Sequence, residues 1–283
     1  MTLPRDRLEG AGARWAAELE SWAIPDEILA AAPELPWGFP TEIFRASALS
    51  AIEEPDDTPS IRRAREALEA GVPVPAAGGR VSSERSVLDV GAGAGAASLP
   101  LVPPATRVVA VDESPLLLAT LEELAAVLEI PVEVVPGGWP EVAPATPVAD
   151  VVVCNHVLYN VAALGPFIIA LDAHARRRVV IELTEVHPLA YLNNLWKVLH
   201  GIERPHGPTA EDALAVVRGL GFDAQAERFV RPSRWGAERQ ALVALTRRRL
   251  CVGPERDHEI DRLLQDGDRG LVTIWWDRVM PSA

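Results

Sequence analysis

The tightest constraint on this chain is a run of glycine and alanine, Gly91-Ala92-Gly93-Ala94-Gly95, set between two β-like stretches. Ser86-Val87-Leu88-Asp89-Val90 leads into it, and Ala96-Ala97-Ser98-Leu99 follows as a small-residue segment able to open a helix. A second apolar run, Val108-Val109-Ala110-Val111, ends in Asp112-Glu113. Strand, glycine loop, helix and a second strand ending in an acid make the front half of a nucleotide-binding βαβ unit. Glycines let the backbone turn tightly and come close to a ligand, where a Cβ would collide. The acid closing the second strand stands where a ribose hydroxyl pair can be held. Gly91-x-Gly93-x-x-Ala96 also fits a loose dinucleotide pattern, so the glycines alone leave the nucleotide open. Asp89, two residues before the first glycine, narrows the choice.

Asp89-Val90-Gly91-Ala92-Gly93-Ala94-Gly95 resembles the (D/E)-x-G-x-G-x-G loop of class I S-adenosylmethionine-dependent methyltransferases. Val108-Val109-Ala110-Val111-Asp112-Glu113-Ser114-Pro115 is similar to that family's second-strand ending. The resemblance spans roughly residues 80–250, and the glycine-loop segment is its specific part. It implies S-adenosyl-L-methionine as cofactor, with Asp89, Gly91, Ala92, Gly93 and Gly95 beside the methionine part. Asp112 takes the ribose role, with Glu113 as the second candidate. It also implies an α/β, Rossmann-like methyltransferase fold: a mostly parallel seven-stranded sheet flanked by helices, with the last strand antiparallel. Two departures stand out. After the third strand, Gly138 replaces the acid that in the family commonly reaches the adenine amino group; Trp139 is left either to stack on adenine or to plug the core. After the fourth, Asn155-His156-Val157-Leu158-Tyr159-Asn160 lacks the (N/D)-P-P-(Y/F) motif of enzymes that methylate amide or adenine nitrogens, which counts against those acceptors. Asn155 and His156 take the position nearest the transferring methyl.

Along the chain, three regions are expected. Residues 1–78 read as an N-terminal helical extension, a lid or accessory region joined by proline loops. Leu8, Trp15, Leu19 and Trp22 recur at helical spacing there, and Thr58-Pro59 reads as an N-cap with proline at the first helical position. Residues 79–250 read as the cofactor-binding domain, since strands alternate with helices as in a parallel sheet covered on both faces. Its strands are expected at 86–90, 108–111, 132–135, 148–154, 178–183, 222–230 and 240–245, with helices at 116–128, 162–175 and 210–220. Residues 251–283 read as a tail with a short helix, Glu255 to Leu264, and an extra strand, Gly270 to Asp277.

Composition bounds the partners. The chain has 283 residues, 48% of them hydrophobic, enough for a sizeable core. A formal charge of −13 argues against a nucleic-acid partner, because phosphate binding needs a basic face. Cys154 and Cys251 give no disulfide framework and no metal-ligand spacing, so no metal is expected. No apolar run approaches membrane-spanning length and no signal-like segment leads the domain, so the expected compartment is the cytoplasm, without a membrane partner. The sequence leaves a homodimer open.

The expected reaction is methyl transfer by in-line displacement to an oxygen or nitrogen of a small-molecule acceptor. Candidate bases, in order, are His156, His187 and Glu185. Candidate acceptor contacts are Trp37 and Phe39 in a stiff proline-flanked loop, Tyr159 after the fourth strand, and Asn193, Trp196 and His200. The last three fall with Lys197 on one face of a helix in an insertion at the ligand end of the sheet. Two alternatives come from other classes. One is a nicotinamide-dependent oxidoreductase, which would normally carry a proton-donating Tyr/Lys pair. The other is a non-catalytic cofactor-binding protein on a methyltransferase fold.

Overall fold

A computed structural model describes residues 5–38, 41–55, 57–70, 84–232, 239–265 and 267–278. The described strands are β1 (Ser86–Val90), β2 (Arg107–Asp112), β3 (Val132–Pro136), β4 (Ala149–Asn155), β5 (Ala175–Thr184), β6 (Gln225–Arg231) and β7 (Arg269–Asp277). They form one sheet in the order β3-β2-β1-β4-β5-β7-β6. The first five run parallel, and β7 is antiparallel to both of its neighbours. This is the mostly parallel, helix-flanked sheet that the sequence predicts. Its order reverses between β1 and β4, and open α/β sheets take their ligands at the carboxyl ends of the strands beside such a reversal.

The helices are α1 (Arg5–Glu20), α2 (Asp26–Ala31), α3 (Thr41–Glu53), α4 (Pro59–Glu69) and α5 (Pro115–Val127), then α6 (Leu164–His174), α7 (Asn193–His200), α8 (Ala210–Gly219), α9 (Arg239–Arg249) and α10 (Asp257–Leu263). Local signals fix several ends. Thr58 caps α4 by accepting from the Ile61 N–H, and Thr209 and Asp212 form a reciprocal capping box on α8. Strand residues alternate between two buried layers. Leu88, Val90, Val152, Ile181 and Trp276 meet α6, α8 and Trp15 of α1; Val87, Val151, Val153, Val180 and Trp275 meet Ala64, Ala67 and Leu68 of α4. The N-terminal helices therefore cover both faces of the sheet. No helix among the described residues is long and apolar enough to cross a membrane.

Two expectations about elements are corrected. The run at 240–245 is not a strand but part of α9, which buries Leu242, Val243, Thr246 and Arg249 at helical spacing. A short Ala-Leu-Val-Ala-Leu run has no decisive period, and here the neighbouring arginines extend it as a helix. The strand that completes the sheet is β7, inside the stretch read as a tail. The segment after the glycine loop also forms no α-helix: Leu99–Leu101 is a single 3-10 turn. Pro100, Pro103 and Pro104 remove the N–H donors that a longer helix needs. Ala48 of α3 fills that place, packed with Leu99 and Leu118, and Phe44, Leu49 and Ile52 lie against the same cluster.

Because β7 is paired on both sides, by β5 and β6, its aromatic residues are core residues. Trp276 is 2% exposed, stacks on Phe222 at 5.2 Å and donates its indole N–H to Asp172 at 2.9 Å. Trp276→Ala should lower unfolding free energy by about 3–5 kcal/mol in urea titration; a change within error would mean that β7 does not hold the sheet together.

Candidate active site

At the crevice, the loop after β1 is built from backbone. The N–H groups of Gly91 and Ala92 both donate to the Val111 carbonyl, at 2.9 and 3.0 Å, and fasten the loop to the end of β2. The Gly93 N–H donates to Asp112 Oδ2 at 2.9 Å, while the Ser114 N–H donates to Asp112 Oδ1 at 2.8 Å. Gly91, Gly93 and Gly95 all have positive φ, +74°, +53° and +90°. At Gly91 a Cβ would run into Val157 from the loop after β4, and at Gly95 it would lie 2.7 Å from Leu99 Cδ1. Only glycine serves here, for conformation and for space.

Beneath the loop lies Asp89, fully buried. Ser98 Oγ donates to its Oδ2 at 2.6 Å, while Oδ1 is buried without a hydrogen-bond partner. Burial pushes the Asp89 carboxyl up to about 7, against the opposing Ser98 bond. Asn155, at the end of β4, likewise has a buried Oδ1 without a partner. Both buried oxygens beside the glycine loop are thus open to a hydrogen-bond partner from outside the chain. They suit a ligand that brings donors.

The next strand ends complete the rim. Glu113 is exposed, and its Oε1 lies 2.7 Å from where a Cβ at Gly138 would stand. The missing acid at position 138 is thus replaced in space by the carboxylate of Glu113. Trp139 packs partly into the core, edge-on to His174 at 4.8 Å, with its indole N–H donating to the Phe167 carbonyl at 3.4 Å. Its ring is held against α6, which favours the plug over the adenine stack.

His156 follows β4 in a left-handed conformation, φ +61°. Its side chain is half exposed, with Nε2 at 3.4 Å from Oε1 of buried Glu182 on β5. The other two candidate bases are elsewhere engaged. His187 is buried, stacked on Trp22 at 3.8 Å, and its Nδ1 accepts from the Leu189 N–H. Burial, helped by the Arg204 charge, lowers its pKa to about 4. Glu185 pairs with Arg228 at 3.3 Å beside Gly270, on the β7–β6 side.

The expected acceptor contacts are largely absorbed by packing. Tyr159 is buried, donates its hydroxyl to the Thr184 carbonyl at 2.8 Å and stacks with Trp15; burial pushes its phenol well up. Trp196 is buried in a cluster with Leu195, Leu242, Val243 and Ile260, away from the sheet. Asn193 donates to the Pro205 carbonyl, and a His200 ring nitrogen meets the Leu250 carbonyl at 2.7 Å. Trp196 and His200 are therefore turned toward the α9–α10 layer, while Lys197 on the same face is exposed and pairs with Glu203. Trp37 is exposed beside Gly38, whose carbonyl accepts from Arg248 of α9. Phe39, the linker expected at 72–80 and residues 233–236 of the stretch expected between the last two strands lie outside the described residues.

Two residues missed in the sequence belong to this site. Phe44 of α3 lies 3.4 Å from a Cβ position at Gly93, so the N-terminal aromatic over the glycine loop is Phe44. Its signal was the spacing Phe44, Ala48, Leu49, Ile52, an amphipathic helix stripe. The other is Glu182, a lone carboxylate within the apolar run Val179-Val180-Ile181-Glu182-Leu183.

Residues 88–177 match the family model described as a methyltransferase domain. Among solved structures, the YcgJ protein of Bacillus subtilis aligns with a TM-score of 0.52 at 13% identity, over 78% of this chain and 99% of that one. Magnesium protoporphyrin IX methyltransferase of Synechocystis PCC 6803, solved with bound SAH, aligns at 15% identity and TM-score 0.48, over 95% and 99%. A search of curated proteins finds no match.

The buried ring of His187 gives a pH signature. Unfolded, it takes up a proton as pH falls below about 6.5; folded, it resists until about 4. Its contribution is thus present above pH 6.5 and lost between 6.5 and 4, at most about 3 kcal/mol. Asp89, whose folded pKa is raised, acts with the opposite sign, so wild type must be compared with His187→Phe, which keeps the stack on Trp22. Urea titrations should show the variant losing less stability than wild type across that window; parallel pH profiles would show that His187 titrates normally. Over residues 88–177, and in its strand order and glycine loop, this chain is similar to methyltransferase domains.

Proposed function

We propose that the protein transfers a methyl group from S-adenosyl-L-methionine to an oxygen or nitrogen of a small-molecule acceptor, bound between the carboxyl ends of β1 and β4 and the N-terminal helices. The observation that carries this reading is the glycine loop tied to Asp112, with unsatisfied Asp89 Oδ1 and Asn155 Oδ1 beside it. In this reading Gly91 to Gly95 and Asn155 line the methionine part. Asp112 accepts from the ribose hydroxyls with the lone pairs that the Gly93 and Ser114 N–H groups leave free. Glu113 takes the adenine-side role that Gly138 cannot fill. When bound, the cofactor supplies a methyl already made electrophilic by its sulfonium.

What remains for the protein is orientation and proton management. Holding the acceptor atom in line removes orientational entropy, which can account for several powers of ten in rate. Phe44, packed over the loop, limits water and shapes the acceptor side. Of the three candidate bases, His156 is the one whose ring is both half exposed and beside the crevice. His187 is walled in by Trp22, and Glu185 is ion-paired outside. The charge of −13 speaks against a polyanionic acceptor. The helices at 5–70 act as an accessory cover to the cofactor-binding unit, and β7 extends that unit past residue 250.

Titration calorimetry with S-adenosylmethionine, S-adenosylhomocysteine and NAD tests the reading. The first two should bind and NAD should not. Asp112→Ala should weaken S-adenosylhomocysteine by roughly ten- to a hundredfold, the loss of a charged hydrogen bond worth about 1.5–3 kcal/mol. NAD binding with silence from the other two ligands overturns the proposal.

A further inference from the structure

Glu182 is the only charged residue between Val179 and Thr184 of β5, and it is 2% exposed. A carboxylate withdrawn from water this far is tolerated only when its oxygens are met by donors or opposite charge. Three groups meet it. Ser60 Oγ, in the first turn of α4, donates to Oε2; His156 Nε2 lies 3.4 Å from Oε1; the Arg231 guanidinium lies 4.0 Å from the same oxygen. Burial pushes this carboxyl up, but His156, Ser60 and Arg231 outweigh it and hold Glu182 below the usual carboxylate range.

His156 is tied to the same residue twice. Besides the ring contact, its backbone N–H donates to the Glu182 carbonyl at 2.7 Å. That second bond holds a left-handed backbone, which a residue with a Cβ keeps only where its surroundings enforce it, and such residues cluster at functional sites. The backbone bond thus sets the ring beside the carboxylate of the same residue. Nε2 faces a buried anion, and an anion accepts only from a protonated nitrogen. In neutral imidazole one nitrogen carries the proton and the other the lone pair, so whatever fixes one fixes the other.

We propose that Glu182 is a positioning residue that locks neutral His156 as the Nε2–H tautomer, so that Nδ1 carries the lone pair that takes the proton from the acceptor. This rests on the methyl-transfer reading above. In the step, the proton on the acceptor oxygen or nitrogen moves to Nδ1, and the positive charge formed on the ring is balanced by Glu182, which stays ionised. Ser60 and Arg231 keep the carboxylate in place and do not touch the acceptor.

Nitrogen-15 labelling of the histidines, read by long-range proton–nitrogen correlation at mildly alkaline pH, tests this without an acceptor. His156→Gln identifies the signal by its disappearance. In wild type the two ring nitrogens of His156 should be widely separated, in the Nε2–H pattern. In Glu182→Met, which keeps the side-chain volume and removes the charge, they should converge toward the fast-exchange average. An Nδ1–H pattern in wild type overturns the proposal, whether or not the variant folds. So does an unchanged pattern in a folded Glu182→Met, the result expected if Glu182 only ties α4 to β5. Calorimetry with S-adenosylhomocysteine on the same samples separates the two readings. Lack of binding by wild type sinks the methyl-transfer reading; normal binding with the wrong tautomer sinks this one alone.

Discussion

The site depends on one carboxylate. Asp112 accepts from the Gly93 N–H with one oxygen and from the Ser114 N–H with the other, so a single side chain spans the glycine loop and the start of α5. Gly91 and Ala92, by donating to the Val111 carbonyl, close the same junction from the backbone. Hydrogen bonds to an ionised acceptor are roughly twice as strong as neutral ones. The junction ties the loop after β1 to the end of β2, beside the β1–β4 reversal of strand order, so the loop that lines the crevice is set by these few bonds. Positive φ at three glycines then keeps side chains off the space in front.

The packing around that junction is rearranged from what a glycine loop usually leads into. Prolines stop the following helix after a 3-10 turn, and α3 occupies the vacated surface. The consequence is functional geometry: an N-terminal helix, entering before the sheet in sequence, lays Phe44 against the loop. A second tie runs on the other face. Trp15 stacks on Tyr159, His187 lies edge-on to Tyr159 and stacked on Trp22, and the Arg204 guanidinium lies between Trp22 and Trp196. This row joins α1, the loop after β4, the insertion after β5 and α7. It accounts for why His187 and Trp196 of the insertion are buried rather than displayed.

Much of this was legible in the sequence, and the parts that were not have physical reasons. The glycine loop, Asp112 and five parallel strands follow from local pattern, because their residues are dictated by backbone conformation and by burial on both faces. The seventh strand was misplaced because 240–245 and 269–277 are both short apolar runs, and only tertiary pairing with β5 and β6 distinguishes them. The face of α7 was misjudged because helical spacing gives a stripe but not its direction; Trp196 points into a second core built by α9 and α10. Glu182 and His156 lie far enough apart in sequence that no spacing rule links them. What joins them is the β4–β5 register, which sets Asn155 opposite Glu182.

Hydrogen exchange with and without S-adenosylhomocysteine tests the central claim, that the crevice at β1 and β4 is the cofactor site and that α3 covers it. Protection should rise over residues 91–95 and 112–114, and in α3 around Phe44, while α7 and α9 stay unchanged. Protection confined to α7 and α9, or no change at 91–95, would contradict the account.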